Sequence, residues 1–255
     1  MPQSTLGLAY GLAFSEAIIA PAMPSTTARA GGVFVPVIKS LALAADSLPN
    51  SGPRRLGAFL VMSQLQCCAH SSAMFLTGAA QNLLCFKLAS ELGYAVANPW
   101  MTWFAAGFVP ALTMLLILPR LVFALFPPEI KETPEAPAVA TAKLELLGPL
   151  TRGETIMLMA MAGAVTLWVG GEAIGVAPVA AAMLALCGLL GSGVLTWDDC
   201  LRETAAWDTL AWFAILVGMA GQLNALGLVS FLSNGVGGIL AGLALPWPAA
   251  LALLK

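Results

Sequence analysis

The chain has 255 residues, of which 59% are hydrophobic and only 9% charged, and its mean hydropathy is +0.88. A soluble domain carries about 25% charged residues and cannot hide this much apolar surface, so the bilayer is the expected solvent. A formal net charge of −2 gives no basis for a nucleic-acid or acidic-surface partner.

The first predicted element is residues 1–46. Two apolar arms, 5–20 and 33–45, are each shorter than the roughly 20 residues of a membrane-crossing helix. Between them lies "APAMPSTTARAGGV", with two prolines, three consecutive hydroxyl residues, an arginine and a glycine pair. Short arms around such a tip predict a re-entrant helical hairpin. Irregular backbone at membrane depth is tolerated only where protein buries it or it lines a wet cavity.

Residues 57–88 form a long apolar run with polar interruptions, readable as one broken helix or as two tight crossings. One crossing puts Lys39, Arg54, Arg55, Arg120, Lys131, Lys143, Arg152 and Arg202 on one side and leaves Lys87 alone on the other. That asymmetry is the normal one for membrane proteins, so a single helix, discontinuous near Ser71–Asn82, is expected. Comfortable spans follow at 101–126, 154–170, 176–195 and 208–228, with a weaker one at 229–244 that contains "SNGVGG". The segment 127–153 is the most hydrophilic. Pro127 and Pro128 end the preceding helix, and "AVATAKLELLGPL" reads either as a short interfacial helix or as a solvated linker. Residues 154–255 hold the remaining membrane helices.

The polar residues inside apolar runs are the candidate site. Ser25, Thr26 and Thr27 offer hydroxyls, and helix ends at a broken tip would aim unpaired backbone groups at an ion or an anion. Gly31 and Gly32 would permit close backbone approach. The plainer alternative is an ordinary turn whose hydroxyls cap helices. In "TGAAQNLL", Thr77, Gln81 and Asn82 either reach a substrate carboxylate or bond a neighbouring helix. Glu16 and Arg29 flank the tip as charges at membrane depth. They either pair with each other, or Arg29 grips a carboxylate with its planar fork.

Other polar residues read as structural. His70 reads as a hydrogen-bonded packing residue, and the tryptophans, Trp100 and Trp103 among them, as interface anchors. The acids Asp198, Asp199, Glu203 and Asp208 read as a solvated loop, and the five cysteines as buried small apolar residues. No metal site, catalytic elbow, Walker sequence or dinucleotide fingerprint is present in the sequence, so neither an enzyme nor a cofactor is expected.

The stretches "APAMPSTTARAGGVFVPVIKSL", "TGAAQNLLCFKLA", "NPWMTWF", "PPEIKETPEAP" and "AAWDTLAWFAILVGMAGQL" together closely resemble plastid dicarboxylate translocators of the divalent anion/sodium symporter family. The likeness covers nearly the whole chain. It implies an all-α, multi-pass membrane fold of two inverted repeats, each with a re-entrant hairpin and a discontinuous helix. This chain would supply about one half of that fold and would be a fragment.

The resemblance further implies a homodimer working by an elevator-like cycle. The implied activity is dicarboxylate antiport, 2-oxoglutarate for malate, across the plastid inner envelope. Ser25, Thr26 and Thr27 would form the hairpin motif, and Asn82 would match a motif asparagine, with Gln81 and Thr77 nearby. Thr26 stands where sodium-coupled relatives carry Asn, which argues against sodium coupling. Alternatives are a glutamate/malate exchanger of the same family, or a truncated membrane protein that binds full-length copies without transporting.

Overall fold

The computed structural model describes residues 4–91, 93–94, 96–134, 136–242 and 249, and among these it contains helices and no strand. The chain separates into two compact units, residues 1–194 and 195–255.

In the first unit, helix α1 (Thr5–Ile19) begins on a side-chain cap, the Ser4 hydroxyl accepting from the Gly7 amide. Its buried face, Thr5, Ala9, Ala13, Glu16 and Ala17, is built mostly from small residues. Small side chains let helices approach closely where lipid supplies no hydrophobic drive between them. Its other faces stay apolar and exposed, as at Phe14 and Ile18, which is the pattern of a lipid-facing helix.

After a break at residues 20–25 the chain turns helical again. Ala28–Phe34 is a π-helical segment leading into α2 (Val35–Ala44). The local cause is Pro36. It has no amide to give to the preceding turn, and the register widens so that the Val35 amide bonds Ala30 O, five residues back.

Helix α3 (Gly57–Met74) stops at Phe75. A 3₁₀ turn at Leu76–Gly78 follows, then α4 (Ala80–Glu91). Helix α5 (Pro99–Leu125) is the longest. It is capped by Asn98 and carries Pro110 and Pro119 internally. Helices α1, α3 and α5 pack in one group, whose core joins Ala13, Ala17, Cys67, Met74, Ala111, Leu115 and Leu118. A second cluster, Ala9, Ile38, Leu56, Phe59, Leu60 and Val122, closes the opposite end.

That end is stapled by the segment after α5. Glu129 and Ile130 amides bond Arg54 O and Arg55 O. The Thr5 amide bonds Lys131 O, and the Thr5 hydroxyl bonds Ile130 O at 2.6 Å. Arg54 also lies over the Phe126 ring. The two basic loops that charge asymmetry assigned to one side are thus hydrogen-bonded to each other.

Helix α6 (Ala136–Leu147) occupies the polar loop, and α7 (Arg152–Gly170) starts on a Thr151–Glu154 capping box. The span expected at 176–195 is shorter than predicted. Helix α8 (Pro178–Gly191) has 14 residues, about 21 Å at 1.5 Å each, because Pro178 sets its start and Gly193, with φ of 72°, turns the chain at its end. Among the described residues, α5, α7 and residues 206–225 are long and apolar enough to cross a membrane.

The second unit comprises α9 (Trp197–Arg202), α10 (Thr204–Ala225) and α11 (Leu228–Gly242), with Gly227 at φ 79° between the last two. The Thr196 hydroxyl and amide both donate to Asp199, holding its carboxyl below the usual range. The cysteines are all free, but only Cys67 and Cys68 are buried. Cys85 and Cys187 are exposed, contrary to expectation, because the outer face of a membrane helix can be apolar without being covered by protein. His70 is half-buried and its ring bonds Gln66 O at 2.9 Å.

Close backbone approach can be tested at two glycines. A Cβ on Gly78 would lie 2.5 Å from Ser72 O, whereas one on Gly31 meets nothing within 4 Å. Gly78→Ala is therefore expected to cost about 1–3 kcal/mol and lower the thermal midpoint in detergent. Gly31→Ala, at a helical and open position, should leave it unchanged or raise it slightly.

Candidate functional site

The two breaks in the helical pattern, residues 20–25 and 75–79, meet each other. At the first, Ser25 is the turning point into the next helix. Its carbonyl accepts from the Arg29 amide, and its hydroxyl accepts from the Ala28 amide at 3.2 Å. Ser25 is exposed, Thr26 partly covered and Thr27 exposed.

At the second break, the chain extends at Phe75 and Ala79 around the short Leu76–Gly78 turn. The Asn82 side chain folds back over it. Its amide nitrogen donates to Ser72 O at 2.8 Å, near the end of α3, and to Phe75 O at 2.9 Å, which also accepts from the Gly78 amide. Thr77 is buried and joins the two breaks, its hydroxyl donating to Pro21 O at 2.8 Å and accepting from the Trp100 indole at 3.2 Å. Gly78 has no room for a side chain against Ser72.

Arg29 lies between the breaks with no exposed surface. Its Nε donates to Glu16 Oε1 at 3.4 Å, also fully buried. Nη1 donates to Met23 O in the first break and to Gly78 O, 3.0 Å away, in the second. Nη2 donates to the Ser72 hydroxyl. The other Glu16 oxygen accepts from the Gln64 amide of α3. A guanidinium stays protonated in any protein environment, so at this depth it needs both a counter-charge and acceptors for its N–H groups. The carboxylate supplies the charge, and the carbonyls that the two irregular segments cannot use in helices supply the rest.

Of the two readings for Arg29, the structure forms the ion pair with Glu16. The guanidinium is enclosed and presents no surface to a ligand. Among the described residues no atom lies within 4 Å of where side chains on Gly31 and Gly32 would begin. Trp100 and Trp103 are not free interface anchors. Trp100 is buried on Thr77, and the Trp103 indole donates to Ala73 O at 2.9 Å. Thr26 meets the Ser72 hydroxyl at 2.7 Å, and Gln81 is exposed on the first turn of α4.

Ser72 and Gln64 escaped the sequence reading. A signal for them exists, because Gln64, Cys68 and Ser72 recur at four-residue spacing and mark one polar stripe on α3.

Residues 1–254 match the family described as the sodium:sulfate symporter transmembrane region. The chain is 59% identical to dicarboxylate transporter 2.1, chloroplastic, of Arabidopsis thaliana, over 99% of its own length and 45% of the relative's. It is 44% identical to a putative malate transporter of Bacillus subtilis, over 94% of the chain and 50% of the relative. It is 35% identical to the L-tartrate/succinate antiporter of Shigella dysenteriae, over 95% and 50%. The chain therefore spans about half the length of the curated relatives it matches.

Breaking the buried pair from one side leaves an uncompensated group, so Arg29→Met is expected to cost about 3–5 kcal/mol. Adding Glu16→Leu should cost little more, because the two act as a unit. Thermal midpoints of both single variants and the double variant in detergent check this.

Proposed function

Because this chain belongs to the sodium:sulfate symporter family, we propose that it forms one side of the substrate site of a dicarboxylate antiporter, exchanging 2-oxoglutarate for malate. One observation carries the reading. The helix that begins at Thr26 and the helix that begins at Ala80 both start beside Ser72, through the Thr26–Ser72 contact and the Asn82–Ser72 bond. Helix N-termini carry partial positive charge and free amides, the environment an anionic carboxylate needs where water is scarce. Ser25, Thr26, Thr27, Thr77, Gln81 and Asn82 surround these two starts.

The names of relatives support the substrate class and the exchange mode, since they include chloroplastic dicarboxylate transporters, a putative malate transporter and a tartrate/succinate antiporter. Residues 1–46 form a re-entrant hairpin in this reading. Helix α1, at 15 residues, reaches only about 22 Å, short of a hydrocarbon core of about 30 Å, and the chain turns at residues 20–25. The breaks, the bonded pair Arg29 and Glu16, and the two helix starts move together during alternating access in a homodimer of the plastid inner envelope. Exchange proceeds without sodium, given Thr26 in place of the asparagine of sodium-coupled relatives.

Proteoliposomes carrying the full-length protein and preloaded with malate should take up labelled 2-oxoglutarate, and replacing sodium by choline should not change the rate. Uptake of glutamate in place of 2-oxoglutarate identifies the glutamate/malate exchanger instead. No uptake of any dicarboxylate contradicts the antiport reading.

A further inference from the structure

An anion is held by hydrogen-bond donors, and a proton already committed inside the protein is not available to it. The Ser72 hydroxyl has one proton. Cys68 O, 2.6 Å away, can only accept, so it takes that proton, and Arg29 Nη2 can only donate. The remaining contact, with Thr26 at 2.7 Å, is therefore made with the proton of Thr26. At Thr77, Pro21 O can only accept and the Trp100 indole can only donate, so the Thr77 proton goes to Pro21. The two protons on Asn82 Nδ2 go to Ser72 O and Phe75 O.

Ser25 is different. Its hydroxyl accepts from Ala28 and keeps its proton, and Thr27 and Gln81 are exposed with no side-chain hydrogen bond to any described residue. We infer that the six polar residues divide by role. Thr26, Thr77 and Asn82 are positioning residues that lock the two breaks together, and Ser25, Thr27 and Gln81 supply the donors that contact a substrate carboxylate. The charge on Arg29 sets this division, because it orients Ser72 and so turns the proton of Thr26 inward. The inference rests on the dicarboxylate reading and names the side chains that carry it out.

The test measures the thermal midpoint of the full-length protein with and without malate, alongside the malate KM in proteoliposomes. Ser25 also caps a helix, so the contact set is probed through Thr27→Val and Gln81→Met. These variants should keep the malate-free midpoint, lose the malate-induced rise and raise KM about tenfold, the usual scale for one hydrogen bond to a charge. Thr26→Val should lower the malate-free midpoint by about 2–4 °C or more and reduce maximal transport, with KM within about twofold of wild type. Thr26→Ser keeps the proton and should restore the midpoint. Should Thr26→Val not be recovered folded while Thr26→Ser is, the positioning role stands.

Thr26→Val that raises KM at an unchanged midpoint overturns the division. So does wild-type malate response in the Thr27→Val/Gln81→Met double variant. A wild-type protein stabilised by no dicarboxylate overturns the substrate reading and the contact set with it, while the malate-free midpoints still decide the positioning set.

Discussion

The fold of the first unit depends on a guanidinium that no water reaches. Arg29 cannot shed its charge, and at membrane depth an unpaired charge and unpaired N–H groups are both costly. Glu16 answers the charge, and Met23 O, Gly78 O and Ser72 answer the donors. The irregular segments have the complementary need, since their carbonyls lie outside any helical ladder, and Met23 O otherwise meets only the Ser25 amide. Each solves the other's difficulty. Two breaks separated by some fifty residues of sequence are thereby fixed against each other by one side chain.

The rest of the unit maintains that arrangement. Helix α5 backs the second break, with the Trp100 and Trp103 indoles bonded to Thr77 and Ala73 O, and with a close approach of Gly107, where a Cβ would lie 3.1 Å from Ala73 O. Phe75, Trp100, Phe104 and Phe108 form a run of ring contacts along the same side, with Phe104 stacked on Phe75 and Trp100. At the far end the backbone staple of residues 129–131 onto Thr5, Arg54 and Arg55 holds α1, α3 and α5 in register. Between these ends the small residues of α1 let it lie close to α3, bringing Glu16 within reach of Gln64. The helix starts that face a carboxylate in the proposed function are thus supported from behind and from below.

Much of this was legible in the sequence, for physical reasons. Long apolar runs announce helices in lipid because nothing else can satisfy their backbone, and α5, α7 and α10 fall where the runs are. Pro, Gly and hydroxyl clusters announce interruption, and both breaks lie inside such clusters. The length of α8 was misjudged because hydropathy continues through Gly191–Val194 although the helix does not. The backbone partners of Arg29 were not legible, since Gly78 O and Met23 O carry no sequence signature, whereas Ser72 lay on a readable four-residue stripe. The indole roles of Trp100 and Trp103 were missed for a related reason. A tryptophan near a helix start reads as an interface anchor until the carbonyl or hydroxyl it meets is known.

Hydrogen–deuterium exchange on the wild-type protein and on Arg29→Met tests the central claim most directly. If one guanidinium holds both breaks, its loss should raise exchange in residues 22–29 and 75–82 together while leaving the middle of α5 protected. Increased exchange in only one of the two segments, or in neither, would contradict the account.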